Sequence, residues 1–214
     1  MRAPGVLLPV HCREHLPALF AARGLLGHAA EVGVLRGEFS RVVLAVWPGE
    51  RLHLVDPWVP QAAGYVDVNN GTADVQDAAL ASTLANVAEH AGRVELVRDY
   101  SLRAAAGYAD AFFDWVYLDA DHRYESVAAD IAAWWPKVRP GGVLAGHDFV
   151  FDGDFEGGRF GVMSAVLEFA AREGVQVVAT FFEPAGPSFF GGGPACSTRW
   201  PSWYVLRPPL RPRA

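Results

Sequence analysis

Apolar residues fall in short runs, separated by longer segments whose apolar positions recur three and four residues apart. The runs at 29–34, 51–56, 94–98, 115–119 and 143–146 read as buried strands. Helical spacing predicts helices over 13–23, 74–90, 101–107, 124–135 and 161–172. Phe39, Val42, Val43 and Val46 mark another, ended by Trp47-Pro48-Gly49. Two more strands, 175–182 and 203–207, have no helix between them and are expected to pair antiparallel. Strands that alternate with helices predict an α/β fold: a doubly wound, Rossmann-like, seven-stranded sheet, mostly parallel, with an antiparallel C-terminal pair and helices on both faces.

Punctuation divides this frame. Residues 57–74 are rich in Pro, Gly, Asn and Asp and are expected to form a lid, since long loops in compact domains are commonly functional. A Gly/Pro-rich insert occupies 184–197, and 208–214 is expected to be an unstructured tail. The expected organisation is one domain over 1–207, with residues 1–27 as a helical cap.

The composition narrows the classes. The 214 residues are 51% hydrophobic and 20% charged, which excludes a disordered chain. The net charge of −6 gives no basic footprint for nucleic acid. No apolar run reaches membrane-span length. Only Cys12 and Cys196 are present, which reads as two free thiols in a reducing, cytoplasmic setting rather than a disulfide framework. The single lysine, Lys137, lies beside a Pro-Gly-Gly segment and offers no Schiff-base site.

In an open α/β sheet, ligands bind beyond the carboxyl ends of the strands. Here every one of the first five strands ends in polar groups: Glu31-Val-Gly33-Val-Leu-Arg-Gly37, Asp56-Pro57-Trp58, Asp99-Tyr100-Ser101, Asp119-Ala-Asp121-His122 and His147-Asp148. The glycines allow close backbone approach to a ligand, and Asp56 is placed to accept ribose hydroxyls. The spacing is not Gly-x-Gly-x-x-Gly, so a mononucleoside fits better than a dinucleotide.

These segments, with Asp119-Ala-Asp-His-Arg-Tyr-Glu125 and Pro140-Gly-Gly-Val-Leu-Ala-Gly-His-Asp148, resemble class I S-adenosylmethionine-dependent methyltransferases over residues 28–182. The nearest likeness is to the bacterial small-molecule and sugar O-methyltransferases, with catechol-type O-methyltransferases more distant. The resemblance implies that Glu31, Gly33 and Gly37 cradle the methionine part of the cofactor. It places Asp56 and Trp58 by the ribose and Asp99, Tyr100 and Ser101 by the adenine. Asp119 would border the cofactor and, with His147 and Asp148, hold a divalent cation. A histidine in that set favours Mn, Fe, Ni or Zn over Mg. Asp121 or His122 stands where relatives place a catalytic base.

Methyl transfer from a sulfonium needs an in-line nucleophile, and a hydroxyl needs a metal or a base to activate it. The function expected is therefore O-methylation of a small hydroxylated acceptor, with S-adenosylmethionine as cofactor, an optional divalent cation, and a homodimer as the assembly. A nicotinamide-dependent oxidoreductase and a non-catalytic nucleoside-binding module are the alternatives. Tyr65, Asp67 and Asn69 are candidate acceptor contacts. The acidic stretch 152–156 reads as a solvated loop, and Phe189–Pro194 as a cover for the site or a dimer contact.

Overall fold

The computed structural model describes residues 10, 12–62, 65–67, 69–155, 158–180 and 200–209. A 3-10 turn, Arg13–His15, leads into helix α1 (Leu16–Ala22), where Pro17 sits in the first turn and costs no hydrogen bond. There follow β1 (His28–Val32), α2 (Glu38–Val46), β2 (Arg51–Val55), α3 (Ala73–Val87), β3 (Val94–Val97), α4 (Ser101–Ala106), β4 (Phe113–Leu118), α5 (Tyr124–Trp134) and β5 (Val138–Gly146). The chain continues through β6 (Gly153–Phe155), β7 (Gly158–Phe160), α6 (Val162–Glu173), β8 (Val177–Ala179) and β9 (Trp203–Leu206).

The main sheet has seven strands in the order β3-β2-β1-β4-β5-β9-β8. The first five run parallel, and β9 runs antiparallel to both β5 and β8. The order reverses between β1 and β4, so a crevice opens at the carboxyl ends of those two strands.

Alternating strand residues feed two cores. Trp115 and Tyr117 of β4 pack with Phe20, Val43 and Trp47 on one face. Val116 and Leu118 pack with Val127, Ile131 and Phe169 on the other. Phe113 breaks this alternation by joining the second face, because the β4–β5 register shifts between Phe113 and Trp115. The Pro-Gly-Gly segment sits inside β5 at this irregularity, with Gly141 at φ +81°, so β5 begins earlier than the expected start at 143.

Two expectations are corrected. Residues 152–156 are not simply a solvated loop: 153–155 pair antiparallel with 158–160 as a small separate hairpin. Cys12 is not a free thiol but disulfide-bonded, so the cysteine count carries no argument for a reducing compartment. Cys196, the 184–197 insert with Phe189–Pro194, and residues 210–214 lie outside the described residues. Among the described residues, no helix is long and apolar enough to cross a membrane.

Candidate active site

A cavity of about 820 Å³ occupies the crevice, within the range of small-molecule sites. Its floor is the turn after β1. Gly33 adopts φ +86°, and a methyl group there would overlap the carbonyl oxygen of Asp119. Glycine is therefore required first for the contact between two strand ends, and that contact brings Asp119 to the cofactor turn.

Asp56 locks the same turn. Its Oδ2 accepts from the backbone N–H groups of Val34 (2.9 Å) and Leu35 (3.0 Å), and its Oδ1 from Trp58 N–H (2.8 Å). Leu35 and Trp58 both have positive φ, 54° and 45°, a strained backbone that these bonds hold in place. Asp56 still borders the cavity. Glu31 points into it from β1, almost fully buried, with Ser40 Oγ donating to its Oε2 at 2.6 Å. Burial pushes the Glu31 carboxyl up to about 8, against the opposing pull of Ser40 and Arg13.

Arg13 enters from the N-terminal 3-10 turn. Its Nη1 donates to Asp119 Oδ2 at 2.9 Å, and its guanidinium lies 5.0 Å from the centre of the Phe39 ring. Nothing in the sequence pattern singled this arginine out, because the contact spans 106 positions.

The acid–imidazole group lies at the ends of β4 and β5. Asp119, His122 and Asp148 each offer a ligand atom, all within 4.8 Å of one another. His122 Nε2 sits 2.9 Å from Asp148 Oδ2, and its Nδ1 lies 3.3 Å from Asp67 Oδ2 on the lid. Its ring stacks on Phe160 of the β6–β7 hairpin, with centres 4.4 Å apart. Burial opposes charge on His122, but the hydrogen bonds to Asp148 and Asp67 prevail and raise it to about 10. Burial would also raise Asp148, yet His147 and His122 hold it well below the usual carboxylate range. Asp148 has φ 55°, a left-handed backbone, and borders a small cavity with Asp119 and His122.

His147 faces the same carboxylates from the end of β5. Its Nδ1 lies 2.8 Å from Asp148 Oδ1 and 3.7 Å from Asp119 Oδ1, and its Nε2 is buried with no partner among the described residues. It lines a small cavity of about 20 Å³ together with Asp119, His122, Asp148, Val162 and Trp203. Asp121 borders the main cavity but accepts from Arg123 Nε (2.9 Å) and Ser126 Oγ (2.7 Å), which hold it low despite burial.

The remaining expected residues divide. Tyr100 and Ser101 line the cavity, as do Tyr65, Asp67 and Asn69 of the lid. Gly37, Trp58 and Asp99 are not in the cavity wall. Gly37, at φ +71°, instead allows α2 to pack on α3: a Cβ there would lie 2.9 Å from Thr83 Cα. Trp58 is buried, donating from Nε1 to Leu35 O at 2.8 Å. Asp99 accepts from Arg103 Nε at 2.6 Å.

Residues 30–149 match the methyltransferase domain family. The chain belongs to that family. Solved structures share its fold, which is that of class I methyltransferases. A Corynebacterium glutamicum protein matches with TM-score 0.58 and 17% identity over 98% of this chain and 86% of its own. An O-methyltransferase family protein from Burkholderia thailandensis gives TM-score 0.61 and 15% identity, over 92% of this chain but 56% of its own. The O-methyltransferase TomG from Streptomyces achromogenes, solved with S-adenosylmethionine, gives 0.57 and 16%, over 91% and 79%. No curated protein matches in sequence. Membership of this family replaces the oxidoreductase alternative, and the methyltransferase's seven-stranded sheet is the one expected from the sequence.

Proposed function

We propose that this methyltransferase takes its methyl group from S-adenosylmethionine and transfers it to a hydroxyl of a small acceptor, assisted by a divalent cation. The observation that carries this reading is the convergence of Asp119, His122 and Asp148 beside the turn closed by Gly33 and Asp56.

The cofactor fits the residues present. The buried Glu31 carboxyl suits the cofactor's ammonium group, Asp56 keeps lone pairs for ribose hydroxyls, and the cavity volume accommodates the nucleoside. The donor set of two carboxylates and one imidazole fits a cation of the Mn, Fe or Zn kind. When bound, such a cation lowers the pKa of an acceptor hydroxyl.

The chain's own residues do the positioning. Arg13 orients Asp119 through its 2.9 Å bond. Asp67, bonded to His122, draws the lid over the strand ends and excludes water. Tyr65 of the lid lies under Arg123, with the guanidinium 5.3 Å from the ring centre. Asp121 accepts on both oxygens from Arg123 and Ser126, and both ring nitrogens of His122 face carboxylates, Asp148 and Asp67.

The test is transfer of label from methyl-labelled S-adenosylmethionine to a panel of catechols, sugars and other hydroxylated compounds, with chelator and with Mn²⁺. Transfer to oxygen that chelator abolishes and Mn²⁺ restores supports the reading. Transfer insensitive to chelator contradicts the role of the cation. Transfer to carbon or nitrogen alone contradicts O-methylation.

A further inference from the structure

The lid reaches the acid–imidazole group through one residue. Val66 is 74% exposed and Asn69 faces solvent, yet the Asp67 side chain between them is only 6% exposed. A carboxylate buried in a loop of exposed residues needs partners that offset its lost hydration. Its Oδ1 accepts from Asn69 N–H at 2.7 Å, a short turn that fixes the carboxylate. Its Oδ2 lies 3.3 Å from His122 Nδ1. Asp67 therefore stands outside the group of Asp119, His122 and Asp148 and acts on it through the imidazole.

The ring of His122 is held on three sides. Nε2 faces Asp148 Oδ2 at 2.9 Å and Nδ1 faces Asp67. Phe160 of the β6–β7 hairpin stacks on the ring, with the two planes 3° apart. The same hairpin seats the lid: Gly158 adopts φ +114°, and a Cβ there would lie 2.2 Å from the carbonyl oxygen of Val66. The lid thus touches the hairpin and the imidazole through adjacent residues, Val66 and Asp67. An imidazole that gives one nitrogen to a metal commonly gives its other N–H to a carboxylate, which fixes its tautomer and orientation. With Nε2 on the side of Asp148, that N–H is Nδ1–H and the carboxylate is Asp67.

We propose that Asp67 is a positioning residue that joins the lid to the cation site. By accepting from His122 Nδ1–H it aims Nε2 at a divalent cation held with Asp119 and Asp148, so cation binding and lid closure stabilise each other. Such coupling is reciprocal. A bound cation tightens the lid, and a lid without the carboxylate weakens the hold on the cation. This assignment rests on the cation-assisted reading above.

The test uses Mn²⁺ alone as the probe, with two readouts that need no turnover. Hydrogen exchange of the lid amides at 65–67 in the wild-type protein is expected to slow at least ~3-fold when Mn²⁺ is added. In equilibrium dialysis, Asp67→Asn is expected to bind Mn²⁺ about 10-fold more weakly or worse. Lid exchange in that variant is expected to be insensitive to Mn²⁺. Val66→Ala, which changes only an exposed neighbour, is expected to keep the wild-type affinity within about twofold. Lid exchange that ignores saturating Mn²⁺ in the wild-type protein overturns the coupling without any variant. Unchanged Mn²⁺ affinity in Asp67→Asn overturns the positioning role, and in both cases the cation reading stands. If the wild-type protein binds no Mn²⁺, the cation reading fails and takes this inference with it.

Discussion

His122 Nε2 lies 2.9 Å from Asp148 Oδ2, so the imidazole that follows β4 is joined to the carboxylate that follows β5. Asp119 completes the group, while His147, adjacent in sequence to Asp148, turns its Nδ1 to Asp148 Oδ1 at 2.8 Å and leaves its Nε2 buried with no partner among the described residues. Substitution separates these two histidines. His122→Ala and Asp148→Ala are expected to weaken Mn²⁺ binding at least ~10-fold, the usual effect of losing a ligand or its support. His147→Gln is expected to change it less than about threefold. Equilibrium dialysis with Mn²⁺ measures all three, and a loss confined to His147→Gln would reverse the choice of ligand.

Gly33 is the point where two strand ends touch. Gly33→Ala places a β-carbon against the Asp119 carbonyl and forces alanine to φ +86°. Destabilisation of ~3 kcal/mol or more is expected from the combined overlap and strain. Denaturant unfolding reads it, and a loss below ~1 kcal/mol would show that the turn relaxes freely.

Arg13 combines an ion pair to Asp119 with a position over Phe39. Lysine cannot reproduce both the planar fork and the ring contact. Arg13→Lys is expected to lose a large part of what Arg13→Gln loses, roughly 2 kcal/mol for a partly buried pair. Full recovery by lysine in thermal unfolding would mean that charge alone matters.

Two buried groups act on stability in opposite directions of pH. Burial raises Glu31 from 4.5 to about 8, so the folded state holds its proton more tightly. Its contribution is full below pH 4.5 and is lost as pH rises to about 8. Burial, with His28 and Arg51 nearby, lowers His53 from 6.5 to about 4. Its contribution is full above pH 6.5 and is lost as pH falls toward 4. Each changes stability by up to ~1.4 kcal/mol per pH unit within its window. Glu31 and His53 therefore oppose each other between pH 4.5 and 6.5, while from 6.5 to 8 Glu31 lowers stability, in the same direction as His122. Glu31→Gln should lessen the fall, leaving the part that His122 contributes in the same direction, and His53→Gln should steepen the decline across the lower window. Urea unfolding at pH 5, 6.5 and 8 checks the three proteins, and identical profiles would contradict both assignments.

The sheet was legible because its strands are continuous apolar runs that end abruptly in acid, as at Trp115–Asp119. That pattern located the crevice and eight of the expected residues around it: Glu31, Gly33, Asp56, Tyr100, Ser101, Asp119, Asp121 and His122. It did not reveal which neighbours face inward. Gly37, Trp58 and Asp99 occupy strand ends too, but helix packing, burial and Arg103 claim them. The choice between His122 and His147 depends on the left-handed turn at Asp148, which no spacing announces. The β6–β7 hairpin was illegible because its strands are three residues each and polar outside. Its support is tertiary: Phe160 stacks on His122 and packs against Trp200. Arg13 was missed for the same reason, since only the folded chain brings it to Asp119.

The most direct test of the account is titration calorimetry with S-adenosylhomocysteine, on protein freed of metal by chelator and then supplied with Mn²⁺. Micromolar binding, ~8 kcal/mol, is expected under at least the metal-supplied condition. It should be weakened by Glu31→Gln and Asp56→Asn. Absence of binding with and without Mn²⁺ would contradict the assignment of the crevice as a methyl-donor site.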